Sequence, residues 1–239
     1  MNQLTLDFIT LPPYRFDYFV TGKNQAVLTA LMHRPLNQTD QLSLLDEHDR
    51  FIYLWGEAYV GKSHLLQAWL HYQRTHAPHA VCVYWDATRY YQKEQLELAL
   101  AADFVAIDHI DNLTEEAQIA VFALYNHFKN QGIGELLMAG RLPPAQQTHL
   151  RDDLRTRMSW GLVWPVLGLS DEDKQMALQI QARARGLTIS PEVFEYILKN
   201  SDRDLHHLSA MLALLDEYSL EQKRALTLPF VKSILKDLS

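Results

Sequence analysis

The chain has 239 residues, a formal net charge of −7 and 48% hydrophobic residues, which is an ordinary composition for a globular protein of one large or two small domains. No apolar run approaches the roughly 18–20 residues of a membrane span, and the N-terminus lacks the basic region and apolar core of a signal peptide, so we expect a cytoplasmic protein without a membrane partner. The acidic balance and the lack of a basic stretch predict little direct DNA binding and favour a protein partner.

The predicted elements begin with an extended tail at residues 1–15, which contains two prolines and lacks a helical period. From residue 51 to about 165, apolar strand-like runs alternate with helical patterns, and this alternation predicts a parallel sheet with helices on both faces. The predicted strands are 51–55, 81–85, 104–108, 136–139 and 161–166, and the predicted helices are 64–76, 93–101, 115–130 and 145–158. The single cysteine, Cys82, lies in the second strand, where we expect a buried core thiol.

Beyond Leu169 the pattern is helical only. Ser170 is a predicted N-cap followed by an acidic first turn, and Gly186 is expected to end that helix. Further helices are predicted to begin at Ser190-Pro191, at Asp202 and near Pro229. The expected fold is therefore α/β, with a sheet domain at residues 16–168 and a small helical domain at 169–239.

The most informative motif is G-x-x-x-x-G-K-S, which follows the first predicted strand and reads Gly56-Glu57-Ala58-Tyr59-Val60-Gly61-Lys62-Ser63, with His64 next in the helix. Successive backbone N–H groups and a helix N-terminus form a cradle for phosphate. The two glycines permit the tight backbone path, Lys62 reaches a β- or γ-phosphate, and Ser63 offers its hydroxyl to Mg²⁺. A chance match in a glycine-containing turn is the alternative, but the strand–loop–helix context favours nucleotide binding.

An acidic residue is the second signal for nucleotide binding. Asp108 ends the apolar strand 104–108 and is the expected Mg²⁺-positioning carboxylate; alone it would be an ordinary strand-terminal Asp in a turn. Efficient P-loop ATPases usually place another carboxylate directly after this Asp to orient the attacking water, and here that position is His109. Asp111 lies nearby at the wrong spacing. The sequence therefore predicts weak or no intrinsic ATPase activity.

These motifs resemble, in type and order, the DnaA family of AAA+ ATPases over nearly the whole chain, and most closely its Hda branch of DnaA-related regulators. The resemblance implies an AAA+ P-loop fold with a parallel αβα sheet domain and a helical lid. The segments that carry it are Phe16–Val20 with Gly22 and Asn24, the phosphate loop, Ile107-Asp108, Gly140 with Pro143-Pro144, Leu154–Gly161, Leu169–Lys174, and Arg183 with Arg185-Gly186.

The resemblance also implies roles for individual residues. Arg157 matches the family's arginine finger, which acts on the nucleotide of a neighbouring protomer, and Arg203 matches the phosphate-sensing arginine of the lid. Without the resemblance, Arg155 and Arg157 would be interpreted as a solvated pair on a surface helix. The residues that match the family's base-binding segment are Phe16, Phe19, Val20 and Gly22.

The N-terminal tail contains a further motif, Gln3-Leu4-Thr5-Leu6-Asp7-Phe8. It resembles the peptide by which many proteins dock on the replicative sliding clamp. Gln3 offers an amide anchor, and the apolar side chains Leu4, Leu6 and Phe8 suit a preformed groove. From these residues alone, a plain N-terminal strand is the alternative.

Two departures from the family pattern concern hydrolysis: His109 replaces the acidic partner of Asp108, and apolar Ala139 with Arg141 replaces the polar sensor region. The arginine that would act in trans is retained. We therefore expect a regulatory AAA+ protein that holds ADP or another nucleotide with Mg²⁺, docks on the DNA-loaded sliding clamp, and presents Arg157 to ATP bound on DnaA. An autonomous ATPase of the clamp-loader or helicase-loader type is the alternative, and a head-to-tail homo-oligomer stays open.

Overall fold

The computed structural model describes residues 14–32, 47–200, 205–222 and 224–237. Residues 14–168 form one compact unit, and the chain from Leu169 onward belongs to a second. The first unit is α/β and the second is helical, which confirms the fold class predicted from the sequence. The predicted tail at 1–15 lies almost wholly outside the described residues.

The first unit is built on a parallel sheet. Its strands, within the described residues, are β1 Phe51–Trp55, β2 Cys82–Asp86, β3 Phe104–Asp108, β4 Glu135–Gly140 and β5 Leu162–Pro165. They lie in the order β2-β3-β4-β1-β5, and each boundary agrees with its prediction to within one residue. Asp86 lies opposite Asp108 in the pairing of β2 with β3. Because parallel strands end at the same edge, this edge collects the residues that follow β1, β2, β3 and β4, as in other open α/β sheets that bind ligands there.

Helices cover both faces of the sheet. They are α1 Gln25–Met32, α2 Lys62–His76, α3 Lys93–Leu100, α4 Glu115–Gln131 and α5 Asp152–Met158. Successive residues of β1 alternate between two buried clusters: Phe51 and Tyr53 pack with residues of α4 and α5, and Ile52 and Leu54 pack with residues of α2. A strand buried on both faces explains the continuous apolar run of the sequence. Cys82, predicted as a buried core thiol, is only half-buried at the edge of the second cluster.

The helix predicted at 145–158 is wrong in its first half. A 3₁₀ turn at residues 144–146 precedes α5, and the residues between them are not helical. The reason is Gln147, whose buried side chain donates hydrogen bonds to the Tyr53 hydroxyl at 2.9 Å and to Asp111 at 2.8 Å. A buried amide needs such partners, and the chain leaves helical geometry to reach them.

The second unit is a small helical domain around its own apolar cluster. Its helices are α6 Asp171–Ala184, α7 Pro191–Asn200, α8 Leu205–Gln222 and α9 Leu228–Asp237. The Ser170 hydroxyl accepts a hydrogen bond from the Asp173 N–H, and Gly186 follows α6 with φ +73°, so both predicted caps are confirmed. The predicted start of a helix at Asp202 lies outside the described residues. In the described part of the chain, none of the helices combines the length and apolar character needed to cross a bilayer.

Candidate nucleotide-binding site

The phosphate loop, residues 56–63, connects the end of β1 to the first turn of α2. The Gly56 N–H donates to the Gly140 carbonyl, and a Cβ at Gly56 would collide with the carbonyl oxygen of Val166. Gly61 has φ +99°, a conformation that favours glycine, immediately before α2. The path of this loop therefore requires glycine at both ends of the motif.

Lys62 and Ser63 form the first turn of α2, where free backbone N–H groups and the helix dipole favour an anion. The Lys62 ammonium lies inside the loop and donates to the carbonyls of Gly56 at 2.7 Å and Glu57 at 2.5 Å. Burial lowers the pKa of Lys62, and the nearby Asp108 carboxylate opposes this shift. A cationic donor is thus held at the start of α2, close to Asp108 at the end of β3.

The middle of the loop is open to solvent. Glu57, Ala58 and Tyr59 are exposed, and Tyr59 has φ +62°, which is uncommon for a residue with a side chain. Val60 is half-buried and packs on the same cluster as Phe19. Val60 therefore connects the loop to the segment that the sequence assigned to the nucleotide base.

That segment lies directly before α1. Phe16 and Val20 are buried, and Gly22 has φ +49° in the turn that follows. Asn24, only 1% exposed, pairs with the backbone of Leu167: its side-chain amide donates to the carbonyl at 2.9 Å and accepts from the N–H at 2.7 Å. These two hydrogen bonds fix the segment to the chain that leaves β5.

His64 joins the segment to the phosphate loop. Its Nε2 donates to the Arg15 carbonyl at 2.8 Å, and its ring lies 5.6 Å from Phe19 and 5.4 Å from Tyr14, measured between centroids. Burial lowers the pKa of His64 although the Arg15 carbonyl favours the charged form, so we expect a neutral ring at pH 7. Phe19 also lies where a Cβ on Gly61 would come within 2.9 Å of its ring. The structure thus brings the predicted phosphate and base residues together.

Asp108 ends β3 and is 1% exposed. The Tyr84 hydroxyl donates to its Oδ2 and the His109 N–H donates to its Oδ1, both at 2.8 Å. Such partners fix the orientation of a metal-binding carboxylate. A buried carboxylate and the Ser63 hydroxyl are oxygen ligands of the kind that Mg²⁺ prefers, and the residues present therefore fit a nucleotide with Mg²⁺. The sequence interpretation missed Tyr84, since its contact depends on β2 lying beside β3.

His109 takes the position at which a water-orienting carboxylate was expected. Its backbone is left-handed, with φ 55° and ψ 43°. Its Nδ1 lies 3.3 Å from Asp86 Oδ1 and 3.6 Å from Asp108 Oδ2. Burial raises the pKa of Asp86, but hydrogen bonds from Thr88 and the nearby imidazole outweigh it, so the pKa is lowered. The imidazole is thus turned toward two carboxylates and supplies no anionic acceptor for an attacking water.

The sensor region at the end of β4 also departs from the family pattern. Ala139 is fully buried, and the Arg141 N–H donates to both carboxylate oxygens of Asp111 at 3.0 Å. Asp111 accepts from the buried Gln147 amide as well. Asp111 is therefore part of a structural hydrogen-bond network, which agrees with the prediction that it does not replace the missing acid.

Arg157 lies in the last turn of α5 and is half-buried. Its guanidinium carbon lies 4.4 Å from the centroid of the Trp160 ring. Among the described residues, no carboxylate pairs with Arg157, whereas Arg155 in the same helix pairs with Asp152. The two arginines that looked alike in the sequence thus have different environments.

Some predicted site residues lie outside the described residues, and their roles stay predictions. They are Arg203 of the lid and the tail residues Gln3, Leu4, Leu6 and Phe8.

The fold and the site together define a class. A parallel sheet of this strand order, a phosphate loop after β1, a buried acid at the end of β3 and a following helical domain are those of a nucleotide-binding AAA+ protein. Residues 11–165 match the family model described as the bacterial DnaA ATPase domain, and residues 171–235 match the one described as the Hda lid domain. The chain belongs to the bacterial DnaA ATPase domain family, and its second unit is similar to the Hda lid domain.

Several solved structures are similar to this chain in fold. Domain III of the Thermotoga maritima replication initiation protein DnaA is 20% identical, with a TM-score of 0.77, over 95% of this chain and 97% of that one. AMPPCP-bound DnaA from Aquifex aeolicus is 19% identical, with a TM-score of 0.65, over 87% of this chain and 66% of that one. A Thermotoga maritima RuvB mutant is 16% identical, with a TM-score of 0.68, over 95% of this chain and 73% of that one. At these identities the likeness shows the AAA+ fold alone.

Proposed function

We propose that this chain is a regulatory AAA+ protein of replication initiation, which keeps its own nucleotide and stimulates hydrolysis of ATP bound on DnaA. Arg157 acts in trans as the arginine finger. Hydrolysis converts the initiator to its ADP form, and docking on the DNA-loaded sliding clamp brings the regulator to newly replicated DNA. The membership in the DnaA family and the Hda-type lid support a DnaA partner.

The contrast between two arginines of one helix carries the proposal. Arg155 is committed to Asp152, while Arg157 keeps its positive charge beside aromatic rings and away from carboxylates of the described residues. A guanidinium that is to neutralise charge on a transferring phosphoryl group needs free N–H donors and a full charge. Both arginines are cations, but only Arg157 has its N–H donors unused by a carboxylate of the described residues.

The chain's own site supports binding more than turnover. In this proposal Gly56, Gly61, Lys62 and Ser63 bind the phosphates, and Asp108 holds Mg²⁺; the loop geometry and the burial of Asp108 support these roles. Mg²⁺ would neutralise charge between the phosphates, as it does in other P-loop proteins. What these residues lack is a second acid: His109 stands in its place. We therefore expect ADP, or another nucleotide, to be retained as a structural part.

The test compares Arg157→Ala with Arg155→Ala as its matched control. DnaA–ATP, the sliding clamp and primed DNA are mixed with each variant, and released phosphate is measured over time. An arginine finger is worth roughly 10³–10⁵ in rate, so Arg157→Ala is expected to abolish stimulation, and Arg155→Ala to retain it. Full stimulation by Arg157→Ala would overturn the assignment, and equal loss in both variants would point to a disrupted α5.

ATPase measurements on the isolated protein separate the proposal from an autonomous loader. The proposal predicts slow or undetectable turnover without DnaA. Robust turnover by the isolated wild type, lost in Asp108→Asn, would favour the loader instead.

Clamp docking is tested on residues 3–8. Deletion of this segment is expected to abolish co-elution with the sliding clamp and to leave nucleotide binding unchanged, because the phosphate loop and the base segment lie within residues 16–64. A variant with Asp7→Ala alone is the matched control, since it retains the amide and the three apolar side chains of the motif. Co-elution that survives the deletion would refute the docking proposal.

A further inference from the structure

Three aromatic rings surround the Arg157 guanidinium, and we call them the aromatic cradle: Phe122, Tyr125 and Trp160. The guanidinium carbon lies 4.4 Å from the Trp160 centroid and 5.8 Å from the centroids of the other two rings. All three distances are within the ~6 Å over which a cation is attracted to an aromatic face. We infer that the aromatic cradle is a positioning device for the arginine finger, with Trp160 as its principal member; this inference rests on the proposed function.

Aromatic rings can hold a guanidinium without using its hydrogen-bond donors. Arginine has five N–H groups in a fixed plane, which match the oxygens of phosphate in pairs. Arg155 uses part of its set on Asp152. Among the described residues, neither an ion pair nor a side-chain hydrogen bond engages Arg157. The cradle therefore restricts the rotamers of Arg157 while leaving its N–H donors and its charge for an incoming phosphate.

The cradle is fixed to the sheet at two points. Tyr125 is 1% exposed and stacks on Phe51 of β1 with centroids 3.8 Å apart. Gly161 passes so close to β1 that a Cβ would collide with the Phe51 carbonyl oxygen. Because Trp160 is the residue directly before Gly161, this close approach restrains the backbone from which the Trp160 ring projects. Tyr125 and the backbone beside Trp160 are thus held by the same strand that leads into the phosphate loop.

Trp160 also holds a second positive charge. Trp160 is 42% exposed, and the Lys129 ammonium lies 4.8 Å from the centroid of its ring. Lys129 and Arg157 thus place two positive charges against one ring, in a chain whose formal net charge is −7. Positive charges held close together attract a triphosphate, which is the chemistry expected beside a group that meets a partner's ATP.

The first experiment examines the cradle without any partner. In a ¹⁵N-labelled protein, ring currents from Trp160 should shift the Arg157 Nε–H resonance upfield. We expect Trp160→Leu to remove this shift and Trp160→Phe to retain most of it, with the thermal unfolding midpoint confirming that both variants fold. An Arg157 resonance at the position of an unstacked arginine in the wild type would overturn the inference.

The second experiment uses DnaA–ATP, clamp and primed DNA, and varies the concentration of this protein. Trp160→Leu is expected to lower the maximal stimulated rate by roughly 10-fold, the scale of a partly desolvated cation–π contact, with little change in the half-saturating concentration. Trp160→Phe should recover most of the rate. Tyr90→Leu is the matched control, because Tyr90 is an 84% exposed aromatic beside β2, at the opposite edge of the sheet from β5.

The outcomes separate this inference from the proposed function. Loss of stimulation in Arg157→Ala together with a wild-type maximal rate in Trp160→Leu would overturn the positioning role alone. A Trp160→Leu defect confined to the half-saturating concentration would also overturn it, because Trp160 would then be a docking contact. Full stimulation by Arg157→Ala would instead remove the proposed function on which the inference rests.

Discussion

The hydrogen-bonded pair between Asn24 and the Leu167 backbone offers a quantitative test of how the base segment is fixed. Asn24→Ala removes a donor and an acceptor at once, and it leaves the Leu167 N–H and carbonyl without these partners. A net value of 0.5–1.5 kcal/mol for each hydrogen bond gives a loss of about 2 kcal/mol in the free energy of unfolding. We also expect weaker nucleotide binding, because Phe19 and Gly22 precede Asn24 in the same short segment.

Urea unfolding followed by tryptophan fluorescence suits this measurement, since all five tryptophans lie between residues 55 and 164 of the first unit. Binding of a fluorescent ADP analogue reports the nucleotide site in the same samples. The matched control is Gln25→Ala, which removes an exposed amide next in the chain and should change stability by less than about 0.5 kcal/mol. An Asn24→Ala protein as stable as the Gln25→Ala protein would refute the reasoning.

Three further predictions concern the same edge of the sheet. Gly140→Ala should lower the free energy of unfolding by about 1–3 kcal/mol, because a Cβ would collide with the Tyr53 hydroxyl; an unchanged urea midpoint would contradict this. Gly61→Ala should weaken ADP binding in isothermal titration, because φ +99° strains alanine and its Cβ would come 2.9 Å from the Phe19 ring; wild-type affinity would refute it. The lowered pKa of Asp86 predicts that its contribution to stability is complete above its ordinary pKa of 3.8 and is lost as the pH falls through the lower, folded-state pKa. The stability difference between wild type and Asp86→Asn should therefore shrink between pH 5 and the acid limit of folding, and a constant difference would contradict the assignment.

Local sequence signals were sufficient for the strands and for the phosphate loop. The run Phe51–Trp55 is apolar throughout because both faces of β1 are covered, and the G-x-x-x-x-G-K-S motif leaves few alternatives for the turn that follows. The N-cap at Ser170 and the glycine after α6 were equally visible, since caps depend on residues that are near in sequence.

Contacts that depend on strand order could not be read from the sequence. The Tyr84 hydroxyl reaches Asp108 only because β2 lies beside β3 with Asp86 opposite Asp108. The same holds for Gln147, a residue type usually found at the surface, whose burial on Tyr53 and Asp111 interrupts a predicted helix.

The aromatic cradle could be predicted from the sequence only in part. Phe122 and Tyr125 are three residues apart and so share one face of α4, and Trp160 is three residues from Arg157. The sequence therefore contained the signal of one aromatic pair and of one arginine–tryptophan pair. What the sequence could not supply is the packing of α4 against α5 on one face of the sheet, which brings Phe122 and Tyr125 to the Arg157 guanidinium.

The central claim is that the ATP hydrolysed belongs to the partner and the arginine to this chain. Its most direct test places γ-³²P-labelled ATP on one protein at a time, before both are mixed with clamp and primed DNA and the release of labelled phosphate is followed in a single turnover. We expect rapid, Arg157-dependent release when the labelled ATP starts on DnaA, and slow release when it starts on this chain. Rapid release from this chain's own site, at a rate that Arg157→Ala does not change, would contradict it.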